Sequence, residues 1–215
     1  KHILAWLAAS TTHTGFCIND DVFSLDPPVF LLKDLTVRVV QSDEYERAGE
    51  LLDQEHYLGD LRTGRALLQA IEYQGHWVAL LDWGSGALKL ADREQWIGWT
   101  SQQRAERLKL VAMNRRFLVL GETRMPNLAS RSLALALRAL PGQWKEKYGY
   151  SPVVAETFSD IEQFEGTCYK AAGWQPLGLT KGFARHRMDY YQQHDRPKRL
   201  WIKPLNRNAR RILTG

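Results

Sequence analysis

The sequence predicts an α/β domain whose mixed central sheet is flanked by helices, with a helical insertion between the third and fourth main strands. Short β-branched apolar runs alternate with segments of helical apolar spacing, most clearly between Phe117 and Gly182. A chain of 215 residues buries roughly 70% of its unfolded surface, so it needs neither a disulfide nor a metal to fold. We expect residues 1–34 to be a lead-in segment and residues 35–215 to form the domain.

The first half of the domain reads as a strand, a helix and a hairpin. Alternation over Leu35–Val40 predicts the strand, and the helix that follows it is expected to end near Gly59. The apolar runs Leu67–Tyr73 and Trp77–Trp83 flank a Gln-Gly turn, which predicts a β-hairpin. Because Val78–Leu81 shows little alternation, we expect this strand to be covered on both faces and central in the sheet.

The segment of about residues 88–116 interrupts the pattern and is predicted to be a helical insertion. Trp96 and Trp99 are three residues apart, so on a helix they share a face and act as core anchors or as stacking platforms. The strand Phe117–Leu120 then begins the central unit, in which two further strands alternate with two helices.

Cysteine usage and hydropathy favour a soluble protein of the cytoplasm. Cys17 and Cys168 belong to no CxxC motif, which is typical of a reducing compartment and argues against a zinc site. The apolar run Ile3–Ala9 is too short to span a bilayer, and we interpret it as a first helix in a piece of a longer chain.

The charge is distributed unevenly. The net charge is +5, yet residues 181–215 contain ten basic and two acidic residues, so this basic C-terminal segment has a balance of +8. Such a segment predicts a polyanionic partner such as DNA, although a solvated surface is the alternative. The candidate nucleic-acid contacts are Arg115, Arg116, Lys181, Arg185, Arg187, Lys198 and Arg199.

Carboxylates and a histidine are the candidates for chemistry. Glu156, Asp160 and Glu165 follow a buried strand, where they could hold a divalent metal for phosphodiester cleavage. Alternatively Asp160 caps the next helix, which leaves Glu156 as the polar group to be explained. His56 ends the first long helix, where it acts as a base near neutral pH or interacts with the helix dipole.

The order of elements resembles that of GNAT-type N-acetyltransferases, and Cys168–Trp174 is similar to the family's Tyr-x-x-x-Gly-Phe helix. The resemblance implies Tyr169 as the acid that protonates coenzyme A and Glu156 as a base. It places the acetyl-CoA phosphates at Arg124–Arg131, where this chain lacks the family's glycines. The candidate cofactor-binding residues there are Asn127, Ser130 and Arg131, and the alternative is an ordinary helix start capped by Asn127.

Six motifs extend the likeness over Val37–Leu213, and together they resemble the Druantia anti-phage protein A family. They are Glu55–Gly59, Trp96–Trp99, Asn114–Leu118, Asn127–Ser130, Glu156–Asp160 and Phe164–Trp174. The resemblance implies a DNA-associated protein of phage-defence operons, where relatives stand beside a large helicase, or of transposition systems. Phe183 stands where the arginine of a closing Thr-x-Gly-Arg motif is expected, and the family's usual N-terminal region is not evident in residues 1–34; together these departures favour a transposon-associated branch.

Three functions follow from these expectations. The chain binds or processes DNA in a defence or transposition system, it is an acetyl-CoA-dependent N-acyltransferase, or it is a non-catalytic module. Such a module would dock a helicase or a transposase through the tryptophan-bearing insertion.

Overall fold

The computed structural model describes residues 31–59, 66–121, 125–180, 183–187, 190–193 and 197–215, and for 183–187 and 190–193 it describes the backbone alone. Most of the expected lead-in segment lies outside these ranges, and Leu32–Asp34 form a 3₁₀ turn. Lys181 and the side chains of Arg185 and Arg187 also lie outside the described part of the chain.

Over residues 36–179 the strands and helices follow one another in the predicted order, and three strands and a helix that were not predicted come after them. The strands are β1 (Thr36–Val39), β2 (Ala66–Tyr73), β3 (His76–Ser85), β4 (Val111–Val119), β5 (Val154–Asp160), β6 (Gln175–Leu179), β7 (Phe183–Arg187), β8 (Tyr190–Gln193) and β9 (Lys198–Pro204). The helices are α1 (Tyr45–Glu55), α2 (Ala91–Ile97), α3 (Ser101–Arg107), α4 (Leu128–Tyr148), α5 (Thr167–Ala171) and α6 (Ala209–Thr214). The insertion α2–α3 lies between the third and fourth strands, as predicted.

The main sheet has seven strands in the order β1-β2-β3-β4-β5-β9-β6, while β7 and β8 pair with each other. The predicted hairpin is β2–β3, and its turn residues Gln74 and Gly75 both have positive φ, which suits the twist of a two-residue hairpin. β9 enters between β5 and β6. This pairing joins segments far apart in sequence, so the pattern of apolar residues along the chain did not predict it.

The start of β4 differs from the prediction. It begins at Val111, so Asn114, Arg115 and Arg116 lie inside the strand rather than before it, and the insertion ends before residue 111. The reason is a cross-strand ion pair: Arg115 Nε and Nη2 donate to the Asp82 carboxylate of β3 at 2.8 and 2.9 Å. The polar and charged residues at positions 114–116 are therefore part of strand β4.

β4 and β5 are parallel neighbours that separate partway along their length. Their pairing runs from Val111 opposite Val154 to Asn114 opposite Thr157. Beyond that point β4 continues to Val119 and β5 to Asp160, each hydrogen-bonded to its other neighbour. The sheet is therefore split at this end, between the fourth and fifth strands.

Helices cover both faces of the sheet. On one face, α4 packs Leu133, Leu140 and Trp144 into the main core. Trp144 is buried beyond Pro141, so the helix continues through this proline to Tyr148. On the other face, α1 packs Leu52 against the sheet. None of the helices in the described residues has the length and apolar character needed to cross a membrane.

The insertion packs against α6 at the far end of the sheet. Ile97 and Trp99 join Leu213 in a third apolar cluster. The two tryptophans do not share a helix face, because α2 ends at Ile97 and the left-handed cap Gly98 separates them. Trp99 is 8% exposed, and the Arg210 guanidinium lies 5.4 Å from the Trp96 ring centroid. Both rings are therefore packed against the protein itself.

Candidate functional site

Four charged or titratable side chains meet at the split end of the sheet. Asp160 ends β5 and Lys198 begins β9, and the two residues lie opposite each other in the sheet register. Arg116 comes from β4, and His56 follows α1. The sequence pointed to these residues for different reasons, as a metal ligand, as nucleic-acid contacts and as a base, and the fold brings them into one cluster, which we name the split-end site.

Arg116 ties the segment after α1 to the strand. Its Nε donates to the carbonyl of Gly59 at 2.8 Å, and its Nη2 donates to that of Leu58 at 3.3 Å. These contacts position the guanidinium at the split end of the sheet. Arg115 differs, because the Asp82 carboxylate pairs with it directly. Of the two adjacent arginines, Arg116 belongs to the split-end site.

Burial and the neighbouring charges lower the pKa values of two groups in the split-end site. Burial lowers the pKa of Lys198, Asp160 raises it and Arg116 lowers it further. The pKa of His56 falls to about 4, first because of burial and then because of the charges on Arg116 and Lys198. His56 Nδ1 accepts the amide hydrogen of Leu58 at 3.2 Å, so the neutral ring carries its proton on Nε2. His56 is therefore uncharged at neutral pH.

Two exposed aromatic rings border the split-end site. Tyr57 is 46% exposed and Phe164 is 48% exposed, and their centroids are 6.0 Å apart with a 46° tilt. His56 stacks on Tyr57 at 4.9 Å. Phe164 belonged to a recognised motif but had no predicted role. The available signal was a large aromatic residue in an otherwise polar loop directly after a strand.

Glu156 lies outside the split-end site and is completely buried. Its carboxylate accepts from Arg93 Nη1 at 3.0 Å and from the amide of Ala87 at 2.6 Å. Burial raises the pKa of Glu156, while the Arg93 charge lowers it. The ion pair joins the insertion to β5, so both oxygens of the predicted base and metal ligand are engaged inside the protein.

The predicted three-carboxylate metal site does not form. Asp160 Oδ1 accepts the amide hydrogen of Glu162 at 2.9 Å, which shapes the turn after β5. Across the described ranges, no group of three or more histidine, cysteine, aspartate or glutamate side chains is arranged to hold a metal ion. Glu156 and Asp160 lie four residues apart on an extended strand, roughly 13 Å from each other, which is too far for one ion.

Tyr169 lies beside the point where β4 and β5 separate. Its ring stacks on Trp201 at 5.6 Å, and its hydroxyl hydrogen-bonds the Thr157 side chain. Thr157 Oγ1 in turn donates to the Asn114 carbonyl at 2.8 Å, on the last paired position of the two strands. Burial raises the pKa of Tyr169 well above its usual range. These contacts hold β4 and β5 together at the end of their paired part.

The start of α4 is the predicted phosphate-binding position. Asn127 occupies the position before the helix but has φ +64° and caps no amide with its side chain. Ser130 Oγ donates back to the Asn127 carbonyl at 3.1 Å, and Arg131 Nε donates to the Leu32 carbonyl at 3.4 Å. Ser130 and Arg131 thus make contacts within the protein, and Asn127 does not cap the helix as predicted.

The predicted basic C-terminal segment is divided between the two ends of the sheet. Lys198 and Arg199 begin β9 at the split end, where Arg199 lies opposite Ser159. Lys203 is near the other end of the same strand and donates to the Gly173 carbonyl at 3.0 Å. Arg210 packs on the insertion. Within the described residues, only part of the basic segment therefore accompanies Arg116.

Solved acetyltransferases have the same fold. The aminoglycoside acetyltransferase AAC(6')-Ib with paromomycin and acetyl-CoA aligns at 10% identity and a TM-score of 0.52, over 82% of this chain and 95% of that one. The acetyltransferase yncA of Salmonella typhimurium, solved with its cofactor acetyl-CoA, aligns at 9% identity and a TM-score of 0.50, over 82% and 96%. At these identities the likeness shows the GNAT-like fold alone.

A sequence-family model gives a more specific result. The model described as Druantia protein DruA matches residues 31–194, which include His56, Arg116, Asp160 and Phe164 of the split end. No curated protein sequence matches the chain.

Proposed function

The chain belongs to the Druantia protein DruA family, and from this premise we propose that it is a cytoplasmic DNA-binding protein of a phage-defence or transposition system. It contacts DNA at the split-end site and works alongside a helicase or transposase partner. The observation that carries the proposal is the placement of Arg116 and Lys198 at one end of the sheet, beside exposed aromatic rings.

The electrostatics of the site support a phosphate ligand. The charge of Arg116 lowers the pKa of Lys198, so the two cations repel each other, while the Asp160 carboxylate attracts Lys198 more strongly. A bound phosphate would add a second anion beside them and offset the remaining repulsion. His56 adds no positive charge at neutral pH, because its pKa is about 4. The two cations therefore supply the attraction to DNA, with Arg199 next to them on β9.

The remaining basic residues have a different role in this proposal. Arg115 is paired with Asp82, so it strengthens the sheet and contributes little to phosphate binding. Lys181, Arg185 and Arg187 lie in the segment that joins β6 to β8, and we keep them as further phosphate contacts on the basis of the sequence alone.

Binding of the chain to fluorescein-labelled DNA, followed by anisotropy over 20–300 mM salt, tests the proposal. We expect binding at low salt that weakens steeply as salt rises, because each neutralised phosphate releases counterions. Lys198→Ala should weaken binding, whereas Lys203→Ala, at the other end of β9, should not. If neither single-stranded nor double-stranded DNA binds at about 20 mM salt, the proposal is wrong.

An acetyl-CoA-dependent N-acyltransferase is the second candidate function. The separation of β4 and β5 beside Tyr169 favours it, while the internal contacts of Ser130 and Arg131 weigh against it. Titration calorimetry with acetyl-CoA decides between these observations. The acyltransferase is favoured if acetyl-CoA binds with measurable heat, if Tyr169→Phe binds it equally well, and if Arg131→Ala binds it more weakly. The absence of any heat of binding would exclude it.

A further inference from the structure

We propose that Tyr57 and Phe164 form a stacking platform for unpaired bases, so that the split-end site takes single-stranded rather than duplex DNA. This inference rests on the proposed DNA binding and names the substrate class of the same site. The two rings are each nearly half exposed, at 46% and 48%. They are not core residues whose surface is hidden by the fold.

Each ring belongs to a segment whose backbone is hydrogen-bonded to a residue of the split-end site. The residues after Tyr57 are fixed by Arg116, which bonds the Leu58 and Gly59 carbonyls. On the other side, the Phe164 amide donates to the Asp160 carbonyl at 2.9 Å. The rings therefore come from two separate segments that are each anchored to a charged residue of the site. Because these segments are already fixed, little backbone conformational entropy is lost when a ligand binds to the rings.

The two rings present separate faces. Their centroids are 6.0 Å apart and their planes are tilted by 46°, so each can receive its own base. The neutral His56 ring backs Tyr57 at 4.9 Å, which leaves the opposite face of Tyr57 for a ligand. Base stacking on aromatic side chains tolerates any sequence, since every base has a π-face.

The distribution of charge gives the ligand an orientation. The Arg116 charge lies near Tyr57 and Lys198, together with the Asp160 carboxylate, whereas the exposed Glu162 and Glu165 flank Phe164 in the loop after β5. A phosphate backbone is attracted to the basic side and repelled from the acidic loop. Its bases then project over the rings. Bases in a duplex are already stacked and paired, so their faces are closed to this contact.

The charged residues of the split-end site, next to the exposed aromatic rings, also argue against a purely apolar protein partner. An apolar docking surface would desolvate the charges of Arg116, Lys198 and Asp160 and offer them no new polar partner, which costs free energy. A nucleic-acid strand can stack its bases on the rings and place its phosphates next to the cations.

Anisotropy with a labelled 20-nucleotide oligothymidine and a 20-base-pair duplex tests the inference; both lengths were chosen to be about one site or longer. The wild type should bind the single strand more tightly than the duplex. Tyr57→Ala and Phe164→Ala should each weaken single-strand binding by about 5- to 100-fold and leave duplex binding nearly unchanged. The control Leu88→Ala, which alters an exposed apolar side chain outside the site, should bind both forms as the wild type does.

A second readout does not depend on variants. An oligonucleotide that contains 2-aminopurine should lose fluorescence on binding the wild type, because stacking quenches this base. The inference is overturned if single-strand and duplex affinities are equal, or if the alanine variants bind both forms as the wild type does, which would assign the rings to a protein contact. The proposed DNA binding survives both of these results and fails only if no DNA binds.

Discussion

Arg93 of α2 and Glu156 of β5 form an ion pair in which both side chains are 0% exposed, with Nη1 and Oε2 separated by 3.0 Å. The same guanidinium also donates to the Ala87 carbonyl at 2.7 Å and to Glu94 at 2.8 Å. This network fixes the insertion to the sheet. The glutamate is therefore a structural residue, although its place on a strand beside the split resembles that of a catalytic base.

Substituting Glu156→Gln should lower the free energy of unfolding by about 3–5 kcal/mol, because the Arg93 charge stays buried without its partner. Chemical denaturation at neutral pH measures the loss. The matched control Glu165→Gln changes an exposed carboxylate of the next loop and should cost less than about 0.5 kcal/mol. A Glu156→Gln variant as stable as the wild type would contradict the structural role and restore a functional one.

Gly166→Ala should destabilise the protein more than Gly149→Ala does. Both glycines have left-handed φ, +73° and +81°, so each substitution carries a strain of about 1–2 kcal/mol. At Gly166 the added Cβ would lie 2.1 Å from the Trp201 ring, whereas at Gly149 it meets nothing within 4 Å. The difference between the two denaturation midpoints isolates the clash. Equal losses would show that Trp201 moves aside freely.

The free energy of unfolding of the wild type should decrease as the pH is lowered from about 6.5, the ordinary histidine pKa, to the lowered pKa of His56. In the unfolded chain His56 binds a proton near pH 6.5, but in the folded protein it does so only near its pKa of about 4. The unfolded state thus binds more protons in this window, and stability is lost as the pH falls.

Melting temperatures of the wild type and of His56→Gln at about pH 7.5 and about pH 4.5 measure this effect, since these two values span most of the histidine window. The drop between them should be smaller in the variant, because glutamine does not titrate. A drop of the same size in both proteins would mean that His56 ionises as freely when folded as when unfolded.

Local periodicity was sufficient to predict the order of strands and helices from β1 to β6, but not the three strands and the helix that follow. The hairpin turn, the insertion and the central unit all depend on residues close together in the chain. The position of β9 between β5 and β6 depends on contacts across the sheet, which no local pattern contains. The resemblance to the Druantia family was confirmed by the match over residues 31–194.

The candidate site was predictable in its parts but not in its assembly. His56, Asp160 and Lys198 were each singled out, yet their proximity follows from the splitting of the sheet. Arg93 was missed because it lies in a charged helix, where an arginine is expected to face solvent, and only its distant partner Glu156 makes burial possible. For the same reason Arg115 could not be separated from Arg116 before Asp82 was placed across from them.

The salt dependence of DNA binding by Lys198→Ala tests the central claim most directly. The plot of log affinity against log salt concentration should lose about one unit of slope relative to the wild type, because one phosphate contact is removed. Lys203→Ala, on the same strand at the opposite end, should keep the wild-type slope. An unchanged slope for Lys198→Ala, or the same loss for both variants, would contradict a DNA site at the split end of the sheet.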